Sequence, residues 1–150
     1  MNKITLVAYD LQDQTQAQEI FNIIAQYYEK SPWPVTVKKI MDGSVRYFRA
    51  EHQGAAVGLS GYTLKTPTLA ETVKTTVFRQ FQGTGLGHEV SQAIEEECRR
   101  IGVKKVMTTI YHFNHSMISI KLRQGYTIEG YHPDHEAPGF HEYSLGKVLS

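Results

Sequence analysis

The segment Phe78-Arg79-Gln80-Phe81-Gln82-Gly83-Thr84-Gly85-Leu86-Gly87 places three glycines at alternate positions just ahead of an amphipathic run. In that run Leu86, Val90, Ile94, Cys98 and Ile101 recur at three- and four-residue intervals, which predicts a helix stopped by Gly102. The first turn of a helix carries N–H groups without intrahelical acceptors and the positive end of the macrodipole, so main chain alone can hold a diphosphate there. Gly83, Gly85 and Gly87 allow close approach and positive φ, and Gln82, Thr84 and Leu86 complete a phosphate cradle. Two other phosphate motifs fit poorly. A dinucleotide fingerprint needs glycine where His88 stands, and a P-loop needs Lys followed by Ser or Thr. The glycines taken alone also fit a tight turn with close helix–sheet packing.

The flanking chain supplies elements that can position such a loop. Weak alternation over residues 3–9 predicts a first strand. A capping box from Thr15 to Gln18, followed by Ile20, Phe21, Ile24, Tyr27 and Tyr28 at helical spacing, predicts a helix that Ser31-Pro32-Trp33-Pro34 must end. Residues 35–41 read as a second short helix. Turn signals at Asp42-Gly43, Gln53-Gly54 and Thr66-Pro67 divide strands over 45–51, 55–64 and 70–78, the last rich in β-branched residues. Beyond the long helix, 105–111 reads as a buried strand, 114–123 as a short helix ending at Gly125, and 126–131 and 142–148 as two more strands. No repeat or linker interrupts the chain, so residues 1–150 are expected to form one α+β domain.

Composition narrows the function. The 150 residues carry 16 Lys plus Arg against 15 Asp plus Glu, and a formal charge of +1 gives no footprint for nucleic acid. One cysteine makes neither an internal disulfide nor a cysteine zinc site, which suits a reducing compartment. The apolar run from Ile4 to Tyr9 is ended by Asp10, too soon for a signal peptide or a membrane span. A cytoplasmic protein with no membrane partner is expected.

Gln82-x-x-Gly85-x-Gly87 resembles the Q/R-x-x-G-x-G/A signature of the GNAT superfamily of N-acetyltransferases. Asn114 with Met117, Ile120, Gly125 and Tyr126 is similar to that family's N-x-x-A-x-x-L-Y-x-K-x-G-F segment, and the order of elements agrees. The resemblance implies a GNAT-like fold, a mixed and mostly antiparallel sheet of six to seven strands flanked by helices. It also implies an acetyl-CoA-dependent N-acyltransferase acting on a primary amine by direct attack in a ternary complex. The strands over 70–78 and 105–111 should splay near Val77 and Tyr111. Coenzyme A contacts would come from Val77 and Phe78, from Gln82, Gly83, Thr84, Gly85, Leu86 and Gly87, and from Asn114. Family members often pair through sheet edges or helices, so a homodimer is compatible.

The same resemblance suggests roles for the chemistry. Direct transfer needs a neutral amine, a donor for the oxyanion and a proton for the thiolate. Glu71 lies where lysine-acetylating members keep a glutamate base. At the family's acid tyrosine, seven residues after the asparagine, stands Lys121, which could serve the thiolate or reach a coenzyme A phosphate together with Arg123. Tyr126 and Tyr111 are alternative acids. Tyr28 and Trp33 would wall the acceptor cleft, with Asp134 and Glu136 in a covering loop that attracts a cationic amine. His132, His135, His112 and His115 with Asp134 allow a metal to be considered, but no metal is expected. The departure at Lys121 keeps a second reading open, a non-catalytic acyl-CoA-binding or regulatory module.

Overall fold

The computed structural model describes residues 3–150. The strands are β1 (Ile4–Ala8), β2 (Arg46–His52), β3 (Ala55–Thr66), β4 (Leu69–Val77), β5 (Lys105–Tyr111), β6 (Thr127–His132) and β7 (Glu142–Val148). They form one seven-stranded sheet in the order β1-β2-β3-β4-β5-β7-β6. Every neighbouring pair is antiparallel except β4 and β5, which run parallel and pair only at Leu69↔Lys105, Ala70↔Val106 and Glu71↔Met107. Beyond Glu71 and Met107 those two central strands separate.

Four helices cover the sheet: α1 (Gln14–Tyr27), α2 (Val37–Met41), α3 (Leu86–Arg100) and α4 (His115–Arg123). The cap of α1 lies two residues earlier than the Thr15–Gln18 pattern predicts. Asp13 accepts the Thr15 N–H at 2.9 Å, and Gln16 at the third helical position bonds back to Asp13. An ionised carboxylate at the cap is the stronger acceptor, so it outcompetes the Thr15 hydroxyl. Thr36 caps α2 and Asn114 caps α4, each through a side-chain oxygen.

Adjacent β2 residues show how the two faces divide. Tyr47 packs with Ala17, Ile20 and Ile24 of α1, while Phe48 packs with Ile94 and Cys98 of α3. Successive strand side chains point to opposite faces, so α1 and α3 lie on opposite sides of the sheet. The predicted stripe of α3 is buried at Leu86, Val90, Ile94 and Cys98, each aliphatic side chain contributing about 2 kcal/mol.

A bulge in β4 opens its free edge. Lys74 takes φ +55°, and the register with β3 slips between Leu59↔Thr76 and Gly61↔Val73. Gly58 on β3 makes room for this turn of the strand, because a Cβ there would run into the Thr76 carbonyl. Gly58→Ala is therefore expected to destabilise the protein by roughly 2–4 kcal/mol. Urea denaturation of wild type and variant measures it; an unchanged midpoint contradicts close packing at the bulge.

Candidate active site

Where β4 and β5 part, a cleft of about 850 Å³ opens between the end of α1, the ends of β4 and β5, and the first turns of α3 and α4. Three side chains occupy carbonyls that a continued ladder would have paired. Thr108 Oγ1 donates to Thr72 O at 3.0 Å, Tyr28 Oη to Thr75 O at 3.3 Å, and Gln82 Nε2 to Val77 O at 3.0 Å. Phe78 N–H is donated to Val57 O of β3, so the alternation of strand groups turns the neighbouring Val77 N–H toward the gap.

At one end of the cleft the chain passes from β4 through a 3₁₀ turn (Arg79–Phe81) into α3. Gly83 has φ +79° and Gly85, the N-cap of α3, has φ +86°. A Cβ on either would meet nothing within 4 Å, so the left-handed backbone, and not packing, requires glycine there. Gly87 differs: a Cβ would stand 3.0 Å from Ile120 Cδ1 of α4, so it lets the two helices approach. One loop thus uses glycine both for left-handed backbone and for close packing. Among the described residues, no protein acceptor is found for the amides of Gly83 through His88, and Gly83, Gly85, Gly87 and His88 border the cleft. Arg79 and Arg123 also line it, and neither forms an ion pair among the described residues. Free N–H groups at a helix N-terminus, in a cleft that two arginines also line, have the chemistry to accept an anion.

The cleft brings together Tyr28, Val77, Gln82, Gly83, Gly85, Gly87 and Asn114 from the predicted set. The Gln82 amide is spent on Val77 O, and the Asn114 carbonyl on the Met117 N–H at 3.3 Å. Phe78 stacks on Tyr27 with centroids 6.0 Å apart, whose hydroxyl accepts the Arg79 N–H at 2.8 Å. Leu86 is core, and the Thr84 hydroxyl donates back to Phe81 O.

Lys121 and Tyr126 do not reach the cleft. Lys121 is 1% exposed on the side of α4 that faces α3, and its Nζ donates to Ser91 Oγ at 2.6 Å. Ser91 is bonded to Gln124, Gln124 to Glu95, and Lys147 to the same Glu95 at 3.0 Å. Tyr126 is 4% exposed in the core cluster with Ile94 and Val106, under the Lys121 ammonium at 4.9 Å from the ring centroid. Burial raises its phenol far above the ordinary range. Their placement has one cause: α4 turns this face inward, where buried polar partners on α3 and β7 hold it. Glu71 is at the closed end of the splay, ion-paired to Lys65 at 3.1 Å and outside the cleft lining.

Trp33 and the loop carrying Asp134 and Glu136 are in contact and lie outside the lining of the cleft. Trp33 Nε1 donates to the Glu136 carbonyl at 2.9 Å, and the Glu136 carboxylate accepts from the Tyr111 hydroxyl. Asp134, at φ +50°, instead accepts Gly139 N–H at 2.7 Å and shapes its own loop. Tyr111, named from the sequence as an alternative acid, lines the cleft, whereas Arg79, Thr75 and the buried Glu142 were not singled out; each depends on contacts across the sheet. Among the described residues no group of three or more His, Cys, Asp or Glu is arranged to hold a metal ion, and no helix is long and apolar enough to cross a membrane.

Known proteins share this fold. The model of the Acetyltransferase (GNAT) family matches residues 11–126, and the chain belongs to that family. No curated protein matches it in sequence. It is similar in structure to Ard1 from Thermoplasma volcanium, at TM-score 0.78 and 18% identity over 99% of both chains. It is also similar to the ribosomal L7/L12 alpha-N-protein acetyltransferase RimL in complex with coenzyme A, at TM-score 0.78 and 14% identity over 99% of this chain and 96% of that one. A third likeness is to yncA from Salmonella typhimurium with its cofactor acetyl-CoA, at TM-score 0.75 and 17% identity over 99% and 95%.

Burial pushes the Lys121 ammonium down to about 8, against the attraction of Glu95. Between that value and the ordinary lysine range the unfolded chain holds one more proton than the fold, so stability from this group rises with pH. Lys121→Met should abolish the rise. Wild type is expected to gain about 2 kcal/mol on the variant between pH 7.5 and 10 in urea titrations; parallel curves contradict a buried, depressed lysine.

Proposed function

We propose that the chain transfers an acetyl group from acetyl-CoA to a primary amine while both are bound in the cleft between β4 and β5. The observation that carries the reading is the run of unpartnered amides from Gly83 to His88, opening into that cleft beside Arg79 and Arg123. These groups match the two negative phosphates of coenzyme A, and the outward Val77 N–H matches an amide carbonyl of its pantetheine arm. The acetyl end then lies toward Tyr28 and Tyr111, where the β4 edge and the covering loops enclose the acceptor.

Direct attack is favoured over an acyl-enzyme by the one cysteine. Cys98 is buried in the α3 core, and burial lifts its thiol to about 12, so no thiolate is available to take the acetyl group. A second reading, a module that binds acyl-CoA without turnover, is favoured by one observation: Lys121 and Tyr126 both point away from the cleft. Thiol release from acetyl-CoA in the presence of a panel of primary amines separates the two.

Gly85→Ala tests the cradle. The methyl group would project where a phosphate is proposed, at a backbone cost of about 1 kcal/mol. Calorimetry should give a folded protein whose acetyl-CoA affinity is at least about tenfold weaker. Unchanged affinity contradicts the assignment.

A further inference from the structure

A chain of polar groups leads out of the cleft at Tyr111. Its hydroxyl donates to Glu136 Oε2, and Ser31 Oγ lies 3.3 Å from the same phenol oxygen. The Trp33 bond to the Glu136 carbonyl fixes that residue over the strand ends. Glu142 stands opposite Tyr111 in the β5–β7 ladder, is 4% exposed and has its carboxyl against that of Glu136. The other titratable groups facing it are Glu71 and Lys74 from β4, His132 beside it on β6, and His135 of the loop at 3.9 Å.

We propose that Tyr111 and the Glu136–Glu142 carboxyl pair form the relay that takes the proton an ammonium acceptor must lose, Tyr111 being the catalytic residue that touches the amine. The inference deepens the acetyl-transfer reading and rests on it. The acceptor ammonium passes a proton to Tyr111 Oη as the phenol passes its own to Glu136, so the phenol stays neutral and the carboxyl pair gains the charge-neutralising proton. The amine lone pair then forms the N–C bond at the thioester carbonyl. Collapse breaks the C–S bond, and the departing sulfur takes the second proton from that nitrogen. The products are amide, thiol and one proton, which Glu136 returns to solvent.

The pair suits this task because two carboxylates in contact, one of them buried, resist ionising together. Burial, and then Glu136, push Glu142 up to about 7, where a base can both accept and release a proton at neutral pH. Burial and the bond to Glu136 lift the Tyr111 phenol to about 12, so it conducts a proton without becoming a phenolate. Glu71, at the closed end of the splay, is left outside the relay.

Two measurements test it. Carbon-13 NMR of glutamate-labelled protein should show a carboxyl titrating near pH 7 that disappears in Glu142→Gln. No glutamate titrating above the ordinary carboxylate range overturns the relay, whatever the activity. Thiol-release rates should show an acidic limb, activity rising with pH through about 7, that is lost in Glu142→Gln and Glu136→Gln, with Tyr111→Phe lowering turnover about 100-fold. Acetyl-CoA affinity by calorimetry should hold within about twofold in all three variants. An unchanged limb in both glutamine variants overturns the relay and leaves acetyl transfer standing. Wild-type protein that binds acetyl-CoA but releases no thiol with any amine of the panel overturns the transfer reading, and the relay with it.

Discussion

Everything about the site depends on the early end of the β4–β5 ladder. Two parallel strands in the middle of a sheet would ordinarily pair along their whole length, since buried backbone groups left without partners cost free energy. Here pairing stops after three residues. The positive φ of Lys74 turns β4 away, and hydroxyl and amide side chains from Thr108, Tyr28 and Gln82 take over the exposed carbonyls. The outward N–H groups are not covered in this way. The gap therefore keeps donors and has lost acceptors, a polarity suited to a ligand rich in carbonyl and phosphate oxygens.

The two polar systems flanking this gap have opposite characters. Behind it, Lys121, Ser91, Gln124, Glu95 and Lys147 form a closed network in which every member is bonded to another. Such a network fixes how α3 and α4 sit against each other, and so fixes the loop between β4 and α3. In front, the Glu136–Glu142 pair is joined to the cleft through Tyr111. The first network is buried except at Lys147, and the second leads to the place where the proposed transfer moves a proton.

The fold was largely legible because its signals are local. The α3 stripe, the β-branched run of β4, the glycines at 83 and 85 and the turn signals each act within a few residues, and the elements lie within about two residues of the expected bounds. Side-chain surroundings were not legible where partners are far apart in sequence. Lys121 on a nine-residue helix reads as a solvent or cofactor charge until Ser91 and Glu95 are brought to it. Glu142 carries no signal in its own strand, and only the loop carrying Glu136 makes it half of a pair. The bond from Trp33 to Glu136, 103 residues away, had no local signal either.

In the proposed complex, coenzyme A lies across the amides opening α3 with its arm along the free edge of β4. Amide chemical shifts followed by NMR during titration with coenzyme A address it residue by residue. The account predicts that the largest changes, with slowed hydrogen exchange, fall on Gly83 through His88 and on Val77. Changes concentrated elsewhere, with those amides unmoved, would contradict it.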